Sequence, residues 1–131
     1  MKLLIPEPGA AEVAEAWRNA DRRVSSLVLY PEAWAAMARA RRLDRLTARQ
    51  LGIARDRVDA LWTVVDRIAL TETLARRAGE LAERHELRAY DAVHLASLER
   101  VGDAETVLVS ADVDLLEAAA SIGFATLRPT R

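Results

Sequence analysis

A chain of 131 residues that is 51% hydrophobic and 30% charged has room for one domain, spanning 1–131, with a core of its own, which excludes both a disordered chain and two domains of ordinary size. Cysteine is absent, so disulfides, thiolate zinc sites, iron–sulfur clusters and a cysteine nucleophile are excluded and a reducing cytoplasm is the natural setting. No apolar run approaches the roughly 20 residues that cross a bilayer. Met1-Lys2-Leu3-Leu4-Ile5 meets Pro6 and Pro8 too soon to be a signal peptide, so a membrane or secreted role has no support.

In chain order, Glu7-Pro8-Gly9 is a turn signal, and residues 10–20, with Val13, Ala14 and Trp17, read as an amphipathic helix. A short extended run begins at Val24 and ends near Ser26. Residues 27–42 are helical, with the helix proper starting close to Pro31, which has no N–H to give inside a helix. Residues 43–60 form one helix or two, since Thr47 is a good cap and Gly52 weakens the middle. A strand of four to six residues falls within 61–70. Thr71 caps a helix whose stripe is Leu74, Ala78, Leu81 and Ala82, fading near His85, where the imidazole is expected to cap the helix end. Another helix starts at Ala89 or Tyr90.

The run Thr106-Val107-Leu108-Val109 reads as a buried parallel strand. Asp112 opens the next helix, Gly123 ends it, and 124–127 is a last short strand. Strands alternating with helices, without hairpin signals, predict a three-layer α/β/α domain around a parallel sheet. One feature is odd for that class: the chain reaches a turn by residue 6 without a buried opening strand.

Three acids share a position type. Glu32 follows the run ending at Ser26, Asp91 lies in the first turn of its helix, and Asp112 comes two residues after the strand 106–109. In an open α/β sheet such positions gather at the carboxyl ends of the strands, where ligands bind. Clustered oxygen ligands suit Mg²⁺ or Mn²⁺ and metal-activated attack of water on a phosphodiester. Each acid also has a plainer reading, Asp91 and Asp112 as favourable charges at helix N-termini and Glu32 as a solvent-facing side chain. His94, three residues from Asp91, is read as a supporting group beside it rather than a ligand. Ser26 and Ser110 can orient a carboxylate or a water through their hydroxyls. Tyr90 and Trp34 read as core or partner-contact groups. No serine-nucleophile elbow, phosphate loop or dinucleotide fingerprint occurs, so no nucleotide cofactor is expected.

The net charge of −1 divides into +3 over residues 1–60 and −4 over 61–131. The basic excess lies in Arg39, Arg41, Arg42, Arg45, Arg49, Arg55 and Arg57. These are candidate phosphate contacts for RNA, Arg39 to Arg45 first among them, or else a solvated helical face or an interface to an acidic partner.

The segment Leu87-Arg88-Ala89-Tyr90-Asp91-Ala92-Val93-His94-Leu95-Ala96, with Val109-Ser110-Ala111-Asp112 and Leu115-Leu116-Glu117-Ala118-Ala119 before Gly123, resembles the C-terminal half of PIN-domain ribonucleases of the VapC toxin type. Leu3-Leu4-Ile5-Pro6-Glu7-Pro8-Gly9, Val24-Ser25-Ser26 and Tyr30-Pro31-Glu32 extend the resemblance through the N-terminal half. It implies a compact α/β fold, a Mg²⁺- or Mn²⁺-dependent endoribonuclease acting on RNA, a cognate antitoxin that wraps the toxin and inserts a basic side chain near the acids, and a homodimer. Glu32, Asp91 and Asp112 take the places of three of the family's acids, and Ser110 that of an assisting hydroxyl.

The departure is at the start. The family's first strand, central in its sheet and ending in an Asp, has no counterpart before Lys2. The expectation is a start lying about ten residues late in a longer frame. A chain truly this short would leave neighbouring strand edges unpaired and bind metal poorly. A catalytically impaired protein that still binds the antitoxin, and a PIN nuclease without a toxin role, are the alternatives to an active toxin.

Overall fold

The computed structural model describes residues 1–5 and 14–129. The turn expected at Glu7-Pro8-Gly9 and the first part of the helix expected over 10–20 lie outside the described residues. The elements are β1 (Lys2–Leu4), α1 (Ala14–Asn19), β2 (Arg22–Ser26), α2 (Leu29–Arg42), α3 (Ala48–Trp62), β3 (Asp66–Ile68), α4 (Glu72–His85), α5 (Ala89–Val101), β4 (Thr106–Val109), α6 (Val113–Ser121) and β5 (Ala125–Leu127). The five strands form one sheet in the order β3-β2-β1-β4-β5, and every neighbouring pair is parallel.

Local chemistry accounts for most boundaries. Pro31 sits in the first turn of α2, where a missing N–H costs nothing. Residues 48–62 form one helix rather than two. Thr47 accepts the Gln50 N–H while the Gln50 side chain accepts the Thr47 N–H, and this reciprocal cap outweighs the weakness at Gly52. Thr71 caps α4 through the Leu74 N–H. His85 is the last residue of α4 and not its cap; Glu86 takes that position in the left-handed region. The strand expected within 61–70 is only three residues long, because α3 runs on to Trp62. Gly123 ends α6 at φ +97°, where a side chain would be strained.

Alternation along the strands builds two packed faces. Leu4 and Leu108 face a core shared with Leu74, Ala78 and Leu81 of α4, Leu95 and Leu98 of α5, and Leu115 and Ala119 of α6. Ile5, Val107 and Val109 face the opposite side, against Ala16, Trp17 and Ala20 around α1. Sheet and helices therefore stack in three layers. Helix α5 is buried along seven successive residues, Ala92 to Leu98, as expected of a helix enclosed on all sides. It packs against α4, α6 and β2, and a fork-to-fork pair, Arg77 with Glu99 at 2.6 and 2.8 Å, ties it to α4.

Among the described residues no strand ending in Asp leads the sheet, in keeping with the departure from the family pattern. Its central place is nevertheless filled, because Lys2–Leu4 pairs with β2 on one side and β4 on the other. The unpaired edges expected beside a missing strand are thus absent from β2 and β4. Lys2 is the unusual member of a central strand. Its Nζ donates to the Val101 carbonyl at the end of α5 (2.7 Å) and lies 3.6 Å from Asp103, placing the cation at the negative end of the helix.

Leu95 is fully buried in the main core. Leu95→Ala is expected to destabilise the domain by about 2–5 kcal/mol, read from the denaturant midpoint at unchanged slope.

Candidate functional site

The carboxyl ends of β2 and β4 lead through short turns into the elements that carry the acids. Ser26, at the end of β2, accepts the Val28 N–H (3.3 Å) and shapes the entry to α2, so Glu32 falls in that helix's first turn. Ser110, just past β4, accepts the Asp112 N–H (3.0 Å). Asp112 then caps α6, one oxygen accepting the Leu115 N–H at 2.9 Å. Asp91 is the third residue of α5. The helix-start readings and the site reading of these acids are therefore compatible, since a cap uses one carboxylate oxygen and leaves the other.

That other oxygen of Asp112 is held by Arg88. The Arg88 guanidinium donates to Asp112 Oδ2 at 3.0 Å and to Asp91 Oδ2 at 3.2 Å, one arginine bridging two carboxylates. The Arg88 side chain is 81% exposed while those of Asp91 and Asp112 are 18% and 23% exposed, so the cation closes the site from the solvent side. Burial, followed by the like charge of Asp112, pushes the Asp91 carboxyl above its ordinary value of 3.8 despite Arg88 and His94. In turn Asp91 above all holds the Arg88 guanidinium more firmly protonated.

Glu32 meets a different partner. His94 Nε2 lies 3.2 Å from Glu32 Oε1, and His94 is buried. An ionised carboxylate only accepts, so Nε2 carries the donated proton. His94 Nδ1 is buried without a hydrogen-bond partner among the described residues. His94 thus supports Glu32 across from α5 rather than Asp91 beside it in the chain. It still brings Glu32 to the helix face that carries Asp91 one turn earlier.

The three predicted acids gather at one edge but not as one ligand set. Among the described residues no group of three or more His, Cys, Asp or Glu side chains is arranged to hold a metal ion. Two carboxylates share Arg88 and the third is turned to His94, an arrangement that does not fit a three-carboxylate Mg²⁺ or Mn²⁺ centre. Asp114 is exposed and takes no part. Arg39, Arg41, Arg42 and Arg45 are exposed at or beyond the far end of α2, about 10 Å or more along the helix from Glu32, so they do not meet the acids. Tyr90, beside Asp91, is 61% exposed. Arg88 is the site residue that the sequence reading passed over. Its spacing of three from Asp91 was the available signal.

A parallel α/β sheet with acids at its carboxyl edge defines the class, and comparison with known proteins supplies the family. The PIN domain matches residues 1–121. The chain is 41% identical over 103 residues to two curated proteins, Ribonuclease VapC45 of Mycobacterium tuberculosis (strain CDC 1551 / Oshkosh) and Ribonuclease VapC49 of Mycobacterium tuberculosis (strain ATCC 25618 / H37Rv), covering 79% of this chain and 72% of each relative. A chain of a toxin–antitoxin complex from Klebsiella pneumoniae shares the fold at a TM-score of 0.65 and 16% identity, with 100% of this chain and 99% of that chain covered. The chain belongs to the PIN domain family, among its VapC-type members. No described helix is long and apolar enough to cross a membrane.

Two outcomes test the geometry of the acids. A carboxyl raised by folding adds most stability below its ordinary value, and that contribution is lost as the pH rises through the raised value. Asp91→Asn is therefore expected to melt at a higher temperature than the wild type near neutral pH, with the difference closing below 3.8, as read by thermal scans across pH. Arg88→Ala frees one oxygen on each of Asp91 and Asp112. Calorimetric titration with Mn²⁺ is expected to show binding at least several-fold tighter than in the wild type.

Proposed function

We propose that this chain is a toxin-type PIN protein whose carboxyl-edge face is a recognition surface for an antitoxin protein, and that with its acids arranged as described it is impaired as a nuclease. The observation that carries this reading is the Arg88 bridge. A pair of half-buried carboxylates already holds a guanidinium, so an arginine or lysine from a partner can replace Arg88 like for like. Exposed apolar side chains flank the acids, Tyr90 beside Asp91 and Val113 beside Asp112, and such a rim favours a protein partner. The toxin–antitoxin complex among proteins of the same fold supports the choice of partner.

In this reading the chain's own residues do three things. Asp91 and Asp112 accept the incoming cation. Ser110 and the Leu115 N–H hold Asp112 so that its second oxygen faces outward. The Glu32–His94 contact braces the start of α2 against α5.

A second reading is a Mg²⁺- or Mn²⁺-dependent endoribonuclease toxin with Glu32, Asp91 and Asp112 as its acids, favoured by 41% identity to two proteins named as ribonucleases. A metal ion bound there would activate water and stabilise the leaving oxygen.

One pair of assays separates the two. A candidate antitoxin protein is titrated against the full chain, and structured RNA is incubated with the chain across a range of Mg²⁺ and Mn²⁺ concentrations. The expected outcome is antitoxin binding that weakens about thirtyfold or more in the Asp91→Asn, Asp112→Asn double variant, with no cleavage at any metal concentration. Metal-dependent cleavage that Asp91→Asn abolishes would overturn the impaired reading in favour of the second.

A further inference from the structure

Half of the chain's six aromatic residues meet on the surface where α2 faces the end of α3. Tyr30 lies with ring centroids 6.0 Å from Trp34 and 5.6 Å from Trp62. None of the three belongs to either buried core cluster, so their grouping is not explained by packing of the interior. Two arginines lie over these rings: Arg55 is 4.8 Å from the Trp34 centroid and Arg67 is 5.2 Å from that of Trp62. The buried Nε of Arg55 has no hydrogen-bond partner among the described residues.

Beside them opens a cleft of about 490 Å³ whose lining includes Leu27, Tyr30, Pro31, Asp59, Trp62 and Arg67. The Tyr30 hydroxyl donates to Asp59 Oδ1 at 2.5 Å, and Arg67 donates to the Trp62 carbonyl at 2.7 Å. The cleft stands at the same edge of the sheet as the acids. Leu27 follows the end of β2, its N–H bonding the Ile68 carbonyl at the end of β3, and Pro31 directly precedes Glu32.

We propose that this cleft is a base-binding subsite for single-stranded RNA. Aromatic faces accept any base by stacking, and a nearby guanidinium adds cation–π attraction and a phosphate contact. In this cleft a base stacks on Tyr30 and Trp62, Arg67 takes the adjoining phosphate, and the Asp59 carboxylate accepts from a base N–H. Two guanidinium groups, those of Arg55 and Arg67, stand against the rings, and this pairing of cations with aromatic faces favours a nucleic-acid strand over an acidic or apolar protein segment. The inference goes beyond the antitoxin reading and asks for binding alone, so it stands or falls independently of cleavage.

The test is fluorescence anisotropy of a labelled single-stranded RNA oligonucleotide, with the full chain at low salt and in EDTA, where metal-dependent cleavage is silent. Wild type is expected to bind, and Trp62→Ala to bind about tenfold more weakly. Trp62→Phe, which keeps a stacking face, should stay within about threefold of wild type. Arg67→Ala should weaken binding and lower the salt dependence by about one phosphate contact. Far-UV circular dichroism and a melting curve establish that each variant is folded. The idea is overturned if wild type binds no RNA, or if folded Trp62→Ala binds as well as wild type. Should Trp62→Ala instead turn a dimer into a monomer with RNA affinity unchanged, the cleft belongs to a second copy of the chain. Should it lose only antitoxin binding, the cleft belongs to that partner. Either result removes the RNA assignment.

Discussion

Everything at the functional edge depends on the burial of α5. Seven consecutive residues, Ala92 to Leu98, are enclosed by the sheet, α4 and α6, and a helix held so closely cannot turn or slide without opening voids in a close-packed core. Its first turn therefore presents Asp91 in one place, and His94 one turn later reaches Glu32 from beneath. The Arg77–Glu99 pair at the other end adds a directional lock that apolar packing alone does not supply. Position of the acids is thus a consequence of core packing, and their chemistry is a separate matter.

That chemistry is a balance of charges near a low-dielectric interior. Two carboxylates brought together and partly desolvated repel each other, and the fold accepts this at Asp91, whose carboxyl is raised chiefly by burial. Arg88 lessens the repulsion from the solvent side. An exposed arginine on two half-buried acids is an exchangeable counter-ion, because it surrenders little packing when another cation takes its place. Such a resting arrangement is what the proposed recognition of a partner's cation requires. Close packing of three carboxylates on an ion would require Glu32 to leave His94, whose buried ring would then lose its only described partner.

The aromatic residues obey a different rule. The buried apolar residues of this small domain are mainly Leu, Ala and Val, and three of its aromatics stand instead where α2 and α3 meet. Helix α3 buries no residue fully and is held by its capping box and by contact with α2. Large rings at such a junction leave faces open to water, unlike rings spent on filling a core. Their proximity to the carboxyl edge follows from Tyr30 and Glu32 sharing the first turn of α2.

Much of this was legible in the sequence because it rests on interactions within a few residues. The strand Thr106–Val109 follows from its β-branched run, the caps at Thr47, Thr71 and Asp112 from hydroxyl and carboxylate chemistry at helix starts, and the segment 87–96 from a spacing that also marks the family. The three acids were located by the same local logic. What only the tertiary structure decided are the pairings between distant positions. Glu32 meets His94 across 62 residues and Arg88 meets Asp112 across 24, while Tyr30 comes beside Trp62, with the rings tilted to each other, through the return of α3. The central place of Lys2–Leu4 in the sheet was likewise hidden, because three residues carry too little periodicity to declare a strand, and their two neighbouring strands supply the hydrogen bonds that make them one. Local order is written in adjacent side chains, whereas which charges neutralise one another depends on how the layers bring remote helix ends to a common edge.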